Sequence, residues 1–360
     1  MIFSYYIFKY PYKLVWHLLN IFDKNPKLVI YCADPLDYKI LAPVVKYLPE
    51  LEWIVKNNKT AKYLASRGIL SKRMPCFPKA VVMSRHAAYK FPEKKIQKFG
   101  MRHGAYHFKK FTSVRNYNDF DVFMVTSQQE VDVAKKLGIV SAVAVGFPKI
   151  DPLFDGSYSE ETLNSIRQKI NLDPSKRTIL FSTTWDGSGM SAINKWINFL
   201  PELNETYNIL VTVHPWTSKK YKDLLSKMEN IFYIQEVNVL PYLIVADVLV
   251  GDTSSIIAEF CALDKPIITF KVNKTGRFLP EISDLLKKIS IQVNDLPTLK
   301  DAIQQCLKHP EKQRADRQQA NKLMFDKLDG SAGKRAAEII KKRIPFQRIK
   351  EPNGLNRLGS

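Results

Sequence analysis

The sequence predicts an α/β fold of two Rossmann-like domains facing a central cleft, and three observations carry that expectation. Its 360 residues suit two domains at roughly 100 to 200 residues each. Short apolar runs alternate with stretches of helical spacing, the pattern of parallel sheets flanked by helices. The alternation runs twice, once on each side of a polar passage near residues 146–160. With 45% hydrophobic and 25% charged residues, both halves have apolar material for a core.

The elements follow in order. The first 22 residues are rich in Ile, Phe, Tyr, Leu and Trp, but Lys9, Pro11, Lys13 and His17 interrupt the roughly 18 apolar residues a spanning helix needs. No small-residue cleavage site follows an apolar core, which argues against a secretory signal. Over residues 12–22, Leu14, Val15, Leu18, Leu19 and Phe22 recur at helical spacing, with Lys13 and His17 on another face. Residues 1–25 are therefore expected to form an amphipathic helix on a membrane surface. Residues 26–150 make the first domain, with strands at 28–32, 53–56, 80–84, 98–102, 122–126 and 142–145 and helices such as 38–47 and 130–137. Residues 151–330 make the second, with strands at 178–182, 209–213, 231–234, 248–251 and 266–270. Residues 331–360 are expected to be a basic helix and tail, where eight Lys and Arg face only Glu338 and Glu351. Such a tail adds attraction to an anionic lipid surface, about 1 kcal/mol per cation near it.

Charge narrows the function. Lys and Arg number 55 against 35 Asp and Glu, a net +20, which implies an anionic partner. The cations are spread along the chain, and no zinc finger or RNP-type aromatic motif accompanies them, so nucleic acid is not the expected partner. The absence of GxGxxG and GxxxxGK[ST] loops argues against dinucleotide oxidoreductases and P-loop NTPases. Cys32, Cys76, Cys261 and Cys306 are scattered without metal-ligand spacing and read as reduced thiols of a cytoplasmic protein. His103 and His107 stand four apart with no acidic ligand between them, so no metal site is expected.

Ligand chemistry in such folds sits at the carboxyl ends of strands, and four polar clusters fall there. His103 and Gly104 follow an expected strand, with Lys109 and Lys110 behind them. Histidine suits proton removal near neutrality, and glycine leaves room for a substrate. His214-Pro215-Trp216 ends another strand, where the ring can donate to a diphosphate. Asp252, Thr253, Ser254 and Ser255 precede an expected helix at 256–263, whose free N–H groups favour an anion; helix capping is the bland alternative. Thr183 and Thr184 open a hydroxyl-rich loop through Gly189.

In order along residues 80–340, these pieces resemble the CDP-glycerol glycerophosphotransferase family, the teichoic-acid primases and polymerases, whose fold is the glycosyltransferase B type. The resemblance rests on His103-Gly104 with Lys109, Gly146-Phe-Pro-Lys-Ile-Asp151, Thr183-Thr-Trp185, His214-Pro215, Asp247, Gly251-Asp252-Thr-Ser254-Ser255, Lys265-Pro266 and Phe325-Asp-Lys-Leu-Asp329-Gly330. It departs at Thr253, where the family more often has an aromatic residue, and at Arg102, where an apolar residue is more usual. It implies transfer of glycerol phosphate from CDP-glycerol to a hydroxyl of a lipid-linked or cell-surface glycan, with release of CMP, on the inner face of the cell membrane. His103 would be the base, His214 a contact to the donor diphosphate, and Asp252, Thr253, Ser254 and Ser255 the donor-phosphate turn, joined by Thr183, Thr184 and Lys109. No cofactor is obligatory on this reading, although Mg²⁺ can accompany the diphosphate. CDP-ribitol stays open as donor. So does a glycosyltransferase of the same fold that moves a sugar from a nucleotide sugar to a capsule or lipopolysaccharide glycan.

Overall fold

The computed structural model describes residues 3–49, 51–104, 111, 113–272 and 280–344. Its first sheet holds β1 (Val29–Cys32), β2 (Glu52–Val55), β3 (Ser71–Arg73), β4 (Ala80–Met83), β5 (Gln97–Met101), β6 (Val122–Val125) and β7 (Ala142–Ala144). They lie in the order β3-β2-β1-β4-β5-β6-β7, every neighbouring pair parallel. The central strands read VIYC, AVVM and VFMV and are buried at every position, as a sheet covered by helices on both faces requires. Alternate side chains feed opposite layers: Ile30 and Cys32 enter one core, Val29 and Tyr31 the other.

The second sheet repeats the plan with β8 (Thr178–Thr183), β9 (Asn208–Val213), β10 (Phe232–Tyr233), β11 (Val248–Gly251), β12 (Ile267–Phe270) and β13 (Ile291–Val293). Its order is β10-β9-β8-β11-β12-β13, again all parallel. Each sheet reverses its winding once, between β1 and β4 and between β8 and β11. Those reversal points open the crevices in which ligands of doubly wound sheets bind. Two edge strands, β3 and β13, were not expected from the sequence. Each has three residues and is only partly buried.

The N-terminal helix runs Phe3–Ile21 and passes through Pro11, longer than the 12–22 expected. Trp16 pins it to the first half: the indole is buried and donates to the Pro78 carbonyl at 2.7 Å. Tyr12 donates to the Cys76 carbonyl at 2.6 Å. Among the described residues no helix is long and apolar enough to cross a membrane.

Of the stretch 331–360, expected as a basic helix and tail, residues 331–344 are described. The helix Ala332–Arg343 crosses back to the first half, where Ala336, Ala337 and Ile340 are fully buried beside Leu41 and Val44. A Cβ on Gly333 would lie 2.4 Å from the Pro43 carbonyl oxygen, so only glycine permits this approach. The basic face stays outward, with Lys341, Lys342 and Arg343 exposed. Asp151, in the linker turn Pro148–Leu153, receives the first amides of this helix, Ala332 N at 3.1 Å and Gly333 N at 2.7 Å. Burial lifts the Asp151 carboxyl to about 6, against the pull of those two amides.

Candidate functional site

The chemistry gathers at the carboxyl edge of the second sheet, at its reversal point. Asp252 follows β11 and is fully buried. Its carboxylate accepts from the Thr183 hydroxyl at the end of β8, from Thr184 N at 3.0 Å and from Ala192 N at 3.0 Å. On its own side it accepts from Thr253 N and from Ser254 N at 3.1 Å. Burial pushes this carboxyl up, while the hydroxyl and amide donors pull it down. One carboxylate therefore ties the loop after β8 to the turn after β11. Asp252 and the equally buried Thr183 lie beneath the turn and hold it in place through these bonds.

Above that knot stands the turn itself. Thr253 is half-buried, and its hydroxyl has no hydrogen-bond partner among the described residues. Ser254 Oγ accepts weakly from Ile256 N at 3.4 Å. Ser255 stands just before the helix Ile256–Cys261, and its side chain makes no capping bond; the bonds that Asp252 accepts from Thr253 N and Ser254 N, and Ser254 from Ile256 N, are of the kind the capping alternative expects. Ser182 Oγ and Thr217 Oγ1, near the same ends of β8 and β9, are also buried without partners among the described residues.

The loop after β9 presents His214. Its Nδ1 accepts from Trp216 N at 3.1 Å, so the neutral ring carries its proton on Nε2, a donor suited to a phosphate oxygen. The Lys222 ammonium holds the Pro215 carbonyl at 2.6 Å. Ser218 N donates to Asp186 at 2.8 Å, which joins this loop to the one after β8. Trp185 and Trp216 meet edge to face at 5.7 Å, and Trp216 is largely exposed. Sequence reasoning left this aromatic pair out, although both tryptophans stand inside the motifs it used.

The first half contributes His103, exposed directly beyond β5. A Cβ built on Gly104 would lie 3.8 Å from Ser255 Oγ. The His103–Gly104 turn thus packs against the Thr253–Ser255 turn of the other half. Beneath it Arg102 is buried and donates to Glu130 at 2.8 Å, while Glu130 also accepts from Thr126 N at 2.9 Å and the Thr126 hydroxyl at 3.0 Å. This pair explains the cation at a position where an apolar residue is more usual: its partner, Glu130, stands on the helix after β6. Lys109 lies outside the described residues.

Among the described residues no group of three or more His, Cys, Asp and Glu side chains is arranged to hold a metal. Asp252 has both oxygens taken by N–H and O–H donors.

Two doubly wound parallel sheets that meet carboxyl edge to carboxyl edge, with polar turns from both halves in contact, define a protein of the glycosyltransferase B architecture. Solved structures agree: a wall teichoic acid polymerase TagF superposes with a TM-score of 0.65 at 17% identity, over 94% of this chain and 98% of that one. The UDP complex of S. aureus MnaA gives 0.63 at 14% identity, over 88% and 96%. The chain belongs to the CDP-glycerol:poly(glycerophosphate) glycerophosphotransferase family, whose model matches residues 61–342. Among curated relatives, a teichoic acid poly(ribitol-phosphate) polymerase of Bacillus spizizenii is 23% identical over 66% of this chain and 39% of its own length. A teichoic acid glycerol-phosphate primase of Bacillus subtilis is 27% identical over 45% and 42%. The aligned region spans at most about two fifths of the length of the relatives it matches first.

Proposed function

We propose that the chain transfers a polyol phosphate, glycerol phosphate in the first instance, from a CDP-activated donor to a hydroxyl of a lipid-linked or cell-surface glycan. The acceptor oxygen attacks the phosphorus that bears the polyol, the pyrophosphate P–O bond breaks, and CMP leaves. His103 takes the acceptor proton, a role worth about 100-fold to 10,000-fold in rate. His214, through Nε2–H, and the hydroxyls and amides of Thr253, Ser254 and Ser255 hold the diphosphate as charge moves onto the leaving CMP. The observation that carries this reading is the approach of the two turns, in which a Cβ added to Gly104 would come within 3.8 Å of Ser255 Oγ, because transfer needs the base and the diphosphate within one cleft. Purified protein incubated with CDP-glycerol, CDP-ribitol and UDP-sugars, each with acceptor, tests it: CMP release is expected, and UDP release without CMP defeats it.

The same reading places the enzyme on the inner surface of the cell membrane. The N-terminal helix docks through Tyr12 and Trp16, while Ile7, Leu14, Leu18 and Ile21 are exposed on the opposite side, where helical spacing makes them one stripe. An apolar stripe on a helix held by its other face suits burial among lipid headgroups.

A further inference from the structure

The linker carries a buried ion pair that the transfer chemistry does not use. Lys149 Nζ lies 2.6 and 2.8 Å from the two oxygens of Glu259. Both side chains are buried, 8% and 2% exposed, amid Phe147, Ile150, Ile257, Ala258 and Phe260. Removing two full charges from water is costly, and a well-packed apolar pair in such a place is often as stable or more so. Stability alone is therefore a poor reason for this pair, and its position supplies a better one.

Glu259 sits one helical turn beyond Ser255, on the helix that follows the phosphate turn. Lys149 stands two residues before Asp151, whose carboxylate receives the first amides of the helix Ala332–Arg343. That helix packs into the core of the first half. A continuous path of polar and close-packed contacts therefore runs from the Thr253–Ser255 turn, through Glu259, Lys149, the linker and Asp151, to the half that bears His103. An ammonium 2.6 and 2.8 Å from the two oxygens of a buried carboxylate fixes the distance between linker and helix, which sliding apolar surfaces do not.

We propose that Lys149 and Glu259 are a positioning pair, which sets the rear-half turn at the height where it meets the His103–Gly104 turn. The proposal rests on the reading that this turn holds the donor diphosphate. It makes neither residue a contact to substrate; both act through Ser254 and Ser255.

The test compares wild type, Lys149→Arg and the apolar double variant Lys149→Met/Glu259→Leu by thermal melting, amide exchange and CMP release. The double variant is expected to fold and melt close to wild type, while amides of residues 253–261 exchange about tenfold faster and those of β8, β9 and β11 do not change. Its kcat should fall about 10-fold to 100-fold, the scale of a misplaced reacting group, with donor KM changed by less than about threefold. Lys149→Arg should recover most of the rate. A double variant with wild-type exchange at 253–261 overturns the proposal. Should that variant not fold while Lys149→Arg keeps wild-type exchange and kcat, Glu259→Gln decides: full turnover from a folded Glu259→Gln protein overturns the proposal, and lost turnover at unchanged KM supports it. If wild type itself releases no CMP, the transfer reading falls, and exchange at the turn still decides the positioning claim.

Discussion

Replacing Asp252 by Asn changes one oxygen into an amide and removes a charge, with almost no change of shape. The wild-type carboxylate divides its work: Oδ2 serves Thr183 Oγ1 and Ala192 N, Oδ1 serves Thr253 N and Ser254 N, and the two share Thr184 N. If the amide nitrogen takes the Oδ2 position, the Thr183 hydroxyl can turn and accept, but Ala192 N–H is left facing another donor. An orphaned buried N–H costs about 1 to 3 kcal/mol, and loss of the charge weakens each remaining bond by about 1 kcal/mol. The opposite rotamer orphans two amides and is worse. The expected cost is about 3 kcal/mol or more, which at about 2 to 4 °C per kcal/mol lowers the melting temperature by roughly 10 °C. Calorimetry of Asp252→Asn beside titration with CDP-glycerol separates two roles. A carboxylate that shapes the turn from beneath loses stability and donor affinity together. A variant that melts like wild type yet no longer binds donor would mean that Asp252 touches the ligand, and the account of its burial would be wrong.

Three further expectations use simpler assays. His103→Ala should cut CMP release about 100-fold or more with donor affinity retained, whereas His214→Ala should weaken donor binding as well; equal affinity losses in the two would erase the division of roles. Leu14→Glu with Leu18→Glu should abolish flotation with anionic vesicles and leave the melting temperature within about 1 °C, since both side chains are exposed and exposed sites usually change stability by less than about 0.5 kcal/mol; flotation that persists rules out the stripe. His86 stacks on Phe123 at 5.0 Å, and burial, then the Arg102 charge, pushes its imidazole down to about 4 from 6.5. Between those values the unfolded chain binds a proton that the folded chain refuses. Stability contributed by the neutral ring is thus present above 6.5 and lost as pH falls toward 4, by at most about 3 kcal/mol. Denaturation of wild type and His86→Phe at about pH 7.5 and about pH 5 checks this, and an equal acid loss in both acquits His86.

The sequence made the sheets legible wherever a strand is buried on both faces, because LVIYC, AVVMS and TILFS can be little else. It concealed β3, which reads Ser-Lys-Arg, and β13, which reads Ile-Gln-Val. An edge strand needs few apolar contacts, so it leaves little pattern. The return of the C-terminal helix to the first half was hidden for another reason: Ala336, Ala337 and Ile340 mark a buried face but not its partner, and the basic face drew the reading toward lipid. At the site, residue types at strand ends marked turns that the structure brings near one another. They could not tell a side chain that lines the cleft from one that lies under it, since Asp, Thr and Arg serve both purposes. Asp252, Thr183 and Arg102 are buried, whereas Ser255 is half-buried and His103 exposed, a distinction that residue type does not carry.

The two halves share a device that bears on how the cleft works. At the first reversal point Asp37, also buried, receives Ala33 N at 2.9 Å and Asp34 N at 3.0 Å and bonds Arg85, from the loop after β4, at 2.6 Å. Asp252 does the equivalent at the second, joining the loop after β8 to that after β11. In each sheet one desolvated carboxylate ties together the two loops that a ligand would otherwise have to order. Loops held in place before binding spare the ligand part of the entropy of ordering them, and fixed dipoles act most strongly where charge develops if they need not move. Negative charge kept under the loops also leaves the surface above to amides, hydroxyls and cations, in a chain whose net charge is +20. On the proposed function, an anionic donor would meet hydrogen-bond donors at the rim, while the carboxylates that fix them stay buried beneath.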